Sequence, residues 1–321
     1  MYDKTMEKYL YQMFILGIDN IDEALSKGLG GAIFFTKDIA SVSKVKNAIS
    51  DIKNKALIPP FISIDQEGGR VERTENIRSK RLSPKVAFAK GFDYLTEQSE
   101  EISKELSDLG FNLNFAPCVD VNTNPANPII GERAFSNNPD DVIKGMKIFI
   151  EASKKYHVIP CVKHYPGHGD ASADSHLMLP NINLSLDDMV KNHIKPFKVA
   201  VNDGVEMIMA AHLHCCCFDE DVIPSSLSKN VINYLRDKLN YKGIIISDDM
   251  VMKGVEQYGM LDACLKGIEA GLDMFIIRNS DKITLNMIDE LLKVINGSTY
   301  LQEKVVNSYN KIINLKLKYL Y

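Results

Sequence analysis

The chain alternates between two spacings of apolar and polar residues. Short, almost continuously apolar runs at 31–35, 61–65, 112–117, 159–164, 205–212, 244–248 and 273–277 predict strands covered on both faces. Between them the apolar positions follow a helical period. In 96–109, Ile102, Leu106 and Leu109 share a face and the pattern stops at Gly110, a helix C-terminal cap. Asn138 and Pro139 open another helix, a capping residue followed by proline at the first helical position, with Val142, Met146 and Phe149 on one face. Residues 229–239 and 301–321 read as further helices, the last packing on the outside.

Strands that alternate with helices imply parallel pairing. Seven strands are legible, and an eighth is expected near 224–227. A doubly wound open sheet is the structural competitor. The polar residues favour a closed barrel: Asp65, Asp120, Lys163, His164, His212 and Asp248 all fall at or just after the C-terminal ends of different strands. In a barrel those ends converge on one face, whereas the outer strands of an open sheet would hold them apart. The expectation is an α/β fold, a (β/α)8 TIM barrel formed by residues 1–321 as one domain, with C-terminal helices packed on the barrel.

Composition narrows the class. Of 321 residues, 45% are hydrophobic and 25% charged, the balance of an ordinary globular chain. A net charge of −4 gives no basic surface for nucleic acid. No apolar run approaches the roughly 18 residues of a membrane span, and Asp3 and Glu7 interrupt the N-terminus where a signal peptide would be apolar. The six cysteines show no CxxC spacing, and three are adjacent at 215–217. That pattern fits reduced thiols in a cytoplasmic compartment rather than a disulfide framework.

The chemistry concentrates in four segments. KHYPGHGDASADSHLMLP, residues 163–180, opens at a strand end and carries His164, His168, His176, Asp170 and Asp174. Asp174 and His176 are two apart, close enough for a carboxylate to fix the tautomer of an imidazole that moves a proton. Read alone, the same cluster offers enough nitrogen and oxygen ligands for zinc or manganese, although its spacing is neither HExxH nor a cysteine knuckle. GIIISDDMVM, residues 243–252, delivers Asp248 and Asp249 to a strand end, where an aspartate is fixed well enough to serve as nucleophile. Asp249 is expected to serve structure, as a helix cap would. DQEGGRVER, residues 65–73, offers Asp65 to sugar hydroxyls and Arg73 to a pocket, with Arg70 structural. GERAFSNNPD places Arg133 in a loop.

Together with GGAIFF, LGFNLNFAPCVDV, MIMAAHL and AGLDM, these segments resemble glycoside hydrolase family 3, in its bacterial exo-β-N-acetylglucosaminidase branch. The resemblance runs through most of the chain and is carried most specifically by the D-x-H inside the KH-PGHG segment. It implies that Asp248 forms a covalent glycosyl-enzyme, that His176 is the acid/base with Asp174 as its partner, and that Asp65, Arg73, Arg133, Lys163 and His164 bind the sugar. It implies a (β/α)8 barrel, no metal or organic cofactor, and an enzyme that removes terminal β-linked GlcNAc, often from muropeptide fragments in cell-wall recycling; the chain is expected to act as a monomer on a saccharide. Tyr165 and Ser136 depart from common family residues without touching these positions. Alternatives are a phosphorylase, a hydrolase of chitin oligosaccharides, a metal-dependent hydrolase and a non-enzymatic sugar binder.

Overall fold

In the computed structural model, which describes residues 4–172 and 179–321, eight parallel strands close into a barrel. They are β1 Phe14–Gly17, β2 Gly31–Phe34, β3 Phe61–Ile64, β4 Leu113–Asn114, β5 Ile159–Tyr165, β6 Met207–Ala210, β7 Ile244–Asp249 and β8 Met274–Ile277. Ring closure is between β1 and β8, with Phe14 opposite Phe275 and Leu16 opposite Ile277. Nearly every strand residue is buried, because the interior side chains fill the barrel and the outward ones meet a ring of helices. The fold class read from the apolar pattern is therefore the one observed.

The eighth strand is not where the pattern put it. Residues 224–227 do not pair into the barrel. Ser225–Leu227 is a single 3-10 turn, in which the Ser225 amide donates to the Leu213 carbonyl at 2.7 Å and the Ser226 amide to Ala211 at 3.0 Å. The missing strand is β1. It lies behind the helix Lys4–Tyr11 with only Gln12 and Met13 between, so a helical apolar face and a strand run together in the sequence YLYQMFILG. Gln12 marks the break. It is buried, and its amide donates to the carbonyls of Gly28 and Leu29 at 2.6 and 3.1 Å.

The predicted helices are present. The one over 96–109 belongs to Phe92–Leu109, ended by Gly110 in the left-handed conformation at φ 101°. Asn138 caps Pro139–Lys155 by accepting from the amides of Asp140 and Asp141. Residues 229–239 begin as Lys229–Asn233 and loosen into a π turn over Tyr234–Lys238. The last helix, Thr299–Tyr319, packs on the first through stacked rings of Tyr9 and Tyr309, 3.9 Å apart. It sends Lys316 beneath the barrel, where Nζ donates to Gln12 Oε1 and the Gly30 carbonyl, both at 2.8 Å, and lies 4.9 Å from the Phe61 ring. At the other end, outside the barrel, Asn181–Ile182 pairs in parallel with His214–Cys215. Among the described residues no helix is long and apolar enough to cross a membrane.

Candidate active site

Strand β5 brings a lysine and a histidine to the mouth of the barrel. Lys163 is buried, and its Nζ lies 2.7 Å from both Asp65 Oδ1 and Glu67 Oε1. Asp65 and Glu67 are two residues apart after β3, a spacing that turns both side chains the same way in extended backbone. Burial alone would depress the Lys163 ammonium, but the two carboxylates hold it above its ordinary range. Glu67 also accepts from Arg133, Nε to Oε2 at 2.9 Å and Nη2 to Oε1 at 2.8 Å, a bidentate pair. Burial would raise the Glu67 carboxyl. Arg133 and Lys163 instead keep it well below the usual carboxylate range.

His164 stands between an acid and a base. Its Nδ1 is 2.7 Å from Asp120 Oδ2, and its Nε2 is 3.2 Å from Arg133 Nη2. A guanidinium can only donate, so Nε2 accepts and the proton sits on Nδ1, facing Asp120. Asp120 is buried and takes further bonds from the backbone amides of His164 at 3.3 Å and His168 at 2.6 Å. Burial would raise its carboxyl, but His164 and the His168 amide outweigh that and hold it well below the usual range. Cys118, Asp120 and His164 bring three ligand-type atoms within 4.8 Å of one another. They do not suit a metal ion. The Nδ1 that would bind it is committed as a donor, the Arg133 cation adjoins the ring, and burial and Asp120 push the Cys118 thiol well up, away from the thiolate.

Asp248 is at the end of β7, and one of its oxygens, Oδ1, accepts the Asp249 amide at 2.7 Å. Burial opposes its charge, yet His164, His212, the Asp249 amide and Lys163 bring its carboxyl below the ordinary value. His212 is itself driven toward the neutral form by burial. Its Nδ1 lies 2.7 Å from Ser226 Oγ, and Nε2 has no partner among the described residues. Asp249 turns away. Its Oδ1 accepts from the amides of Val251 at 3.1 Å and Arg278 at 3.3 Å, and its Oδ2 pairs with the Arg278 side chain.

Arg73 is the less engaged cation, with Nη2 4.0 Å from Asp65 Oδ2 and the guanidinium 5.9 Å from the Phe35 ring. Arg70 points elsewhere and donates to the Pro128 carbonyl at 2.7 Å. Beside Arg73 a cavity of about 450 Å³ opens among the loops after β1, β2 and β8, lined by Asn20, Phe35, Lys37, Arg278 and Asn279. The structure thus gathers Asp65, Arg73, Arg133, Lys163, His164 and Asp248 around one mouth. Asp174 and His176 lie outside the described residues. Glu67 is not among the residues expected here, although its two-residue offset from Asp65 is visible in the sequence, and Asp120 and His164 are expected at strand ends but not as a bonded pair.

Residues 5–315 match the family described as the Glycosyl hydrolase family 3 N terminal domain. The chain is 31% identical over 328 residues to beta-hexosaminidase A of Pseudoalteromonas piscicida, covering 93% of this chain and 55% of that protein. It is 32% identical over 275 residues to the beta-hexosaminidase of Photobacterium profundum, covering 83% and 79%. A glycoside hydrolase family 3 beta-N-acetylglucosaminidase structure from Paenibacillus sp. str. FPU-7 superposes with a TM-score of 0.92 at 28% identity, covering 98% of this chain and 63% of that one. The chain therefore spans little more than half the length of the Pseudoalteromonas relative.

Proposed function

The chain belongs to glycosyl hydrolase family 3, and from that premise we propose that it is a retaining exo-β-N-acetylglucosaminidase that removes terminal β-linked GlcNAc. Asp248 attacks the anomeric carbon as the glycosidic bond breaks, and His176, partnered by Asp174, protonates the leaving oxygen. The same imidazole then takes a proton from water, which displaces Asp248 and frees the sugar with its configuration kept. A free histidine titrates near roughly 6.5, so it can serve in both directions. Asp65, Lys163, Arg73, Arg133 and His164 hold the sugar.

The observation that carries this reading is the charge arrangement at the mouth. Lys163, Arg133 and Arg73 engage the carboxylates of Asp65 and Glu67, while the carboxyl of Asp248 is kept below its ordinary value at the end of β7. A transition state with positive charge at the anomeric centre is stabilised by an ionised carboxylate there. The acidic shift of Asp248 supports an ionised nucleophile at neutral pH. The natural substrate is a muropeptide fragment met in the cytoplasm during cell-wall recycling; the free cysteines fit a reducing compartment.

The test is hydrolysis of aryl β-GlcNAc, aryl β-glucose and an anhydro-muropeptide, each with and without phosphate. Asp248→Ala is expected to lose at least about a thousandfold in kcat, and near-wild-type turnover by that variant would sink the assignment. Turnover that requires phosphate would make the protein a phosphorylase.

A further inference from the structure

Three consecutive cysteines at 215–217 have no part in the proposed hydrolysis. They sit on the segment that leaves the barrel after β6. Its start is at the mouth end of β6: the Ala211 amide donates to the Tyr165 carbonyl at 2.8 Å, and His212 follows it, buried, with Nδ1 2.7 Å from Ser226 Oγ. Two residues later the chain pairs with Asn181–Ile182, the His214 amide donating to Pro180 at 2.8 Å and the Cys216 amide to Ile182 at 3.2 Å. A turn closed by the Phe218 amide on the Cys215 carbonyl, at 3.0 Å, then folds the backbone back on itself.

That turn puts Cys217 Sγ 3.5 Å from Cys215 Sγ. Cys216 faces the other way, with Sγ 3.1 Å from Asn183 Oδ1. Cys215 is buried with Ile182, Met189, Ile194 and Leu213, while Cys217 is half-buried at the edge of that cluster. A disulfide needs the sulfurs to close by about 1.5 Å, and the two cysteines lie on one turn of the backbone. The two thiols are also unlike. The bond from Cys215 brings the Cys217 thiol below its ordinary value, and that same bond together with burial pushes Cys215 up.

We propose that Cys215 and Cys217 form a dithiol site that a small-molecule disulfide oxidises to an intramolecular bridge, and that the bridge slows hydrolysis by reshaping the segment between His212 and the strand paired with Asn181–Ile182. The Cys217 thiolate attacks one sulfur of the disulfide and expels the first small thiolate, leaving a mixed disulfide on Cys217. Cys215 then gives up its proton to solvent and attacks the Cys217 sulfur, expelling the second. Two protein thiols are oxidised, one disulfide is reduced to two thiols, and the less buried thiolate is the one that starts the exchange.

The full chain is incubated with oxidised glutathione, its remaining thiols are alkylated, and intact and peptide masses are read beside aryl β-GlcNAc hydrolysis. The wild type should lose the mass of two hydrogen atoms, with Cys215 and Cys217 both protected from alkylation. Its kcat/KM should fall about tenfold, as expected for a small displacement near reacting groups, and recover with dithiothreitol. Cys215→Ser should stop at a glutathione adduct on Cys217, and Cys217→Ser should keep its activity in the oxidant. A glutathione adduct that persists on wild-type Cys217, a bridge through Cys216, or a Cys215–Cys217 bridge with unchanged kinetics would each overturn the proposal. The kinetic readout rests on the glycosidase reading and the mass readout does not. A bridge in a chain that never hydrolyses aryl β-GlcNAc would overturn the reading of function and leave the dithiol standing.

Discussion

Two lysines are buried at opposite ends of the same barrel, and they are held in opposite ways. Lys163, at the mouth, lies between two carboxylates and is kept charged above its ordinary range. Lys316, underneath, has only a side-chain amide oxygen, a backbone carbonyl and a ring for company, and burial drives it well below its ordinary value. Burial is the same in kind at both sites, so the partners decide the outcome. The mouth spends carboxylates to keep a cation, which suits polar recognition. The base uses a lysine as a long donor that joins the last helix to the start of the barrel, which suits stability.

The comparison can be broken first at the mouth. Lys163→Met removes the cation shared by Asp65 and Glu67, leaving Glu67 to Arg133 and Asp65 to the more distant Arg73, and removing one partner from a buried ionic group costs about 3–5 kcal/mol. The expected result is a large drop in unfolding free energy and at least about a hundredfold loss in kcat/KM on aryl β-GlcNAc, measured by denaturant titration and steady-state kinetics. Wild-type kinetics in a folded Lys163→Met protein would show that the cation does not serve the substrate.

Glu67→Gln is the next largest change. Lys163 keeps Asp65, but Arg133 loses its charged bidentate partner, so kcat/KM should fall about tenfold to a hundredfold. Stability offers a second reading. The Glu67 carboxyl is depressed in the folded chain, so its contribution is present above the unfolded value of roughly 4.3 and is lost as pH falls through the folded value. Comparing acid unfolding of wild type and Glu67→Gln should show the wild type losing its advantage below about pH 4.

At the base the effects are smaller and confined to stability. Lys316→Met leaves Gln12 Oε1 and the Gly30 carbonyl without their donor, at about 1–3 kcal/mol, while kcat and KM stay unchanged. A kinetic change in that variant would erase the division between the two ends.

The smallest effect is at alkaline pH, where the two lysines have opposite signs. Lys316 is depressed in the folded state, so its contribution grows as pH rises from the folded value toward the unfolded one near roughly 10.4. Lys163 is raised, so its contribution is fully present below that unfolded value and is lost as pH rises through the folded one. Stability measured between about pH 8 and 11 should turn downward more steeply in Lys316→Met than in wild type.

The sequence showed the mouth better than the base, for a physical reason. Asp65, Lys163, His164 and Asp248 announce themselves as polar residues at the ends of apolar runs, and a closed barrel collects such ends. Lys316 sits in a helix whose exposed neighbours include Leu317, so nothing local marks it as buried. The same holds for β1, hidden in an apolar run continuous with the first helix, and for Glu67, whose partners Lys163 and Arg133 come from distant segments. Contacts between residues far apart in the chain leave no spacing to read. Asp174 and His176, outside the described residues, are the proton-transfer pair of the proposed reaction.

The seam at Phe14–Gly17 has a consequence for synthesis. Its partner strand begins at Met274, and the lysine that ties its base in place is residue 316. A chain emerging from its N-terminus must therefore carry the first strand unpaired on one edge until residues 274–277 have been made. Unpaired strand edges invite wrong partners. The final turn of the helix Thr299–Tyr319 works as a clasp, and the time before it fastens is when the nascent chain most needs shielding from its neighbours.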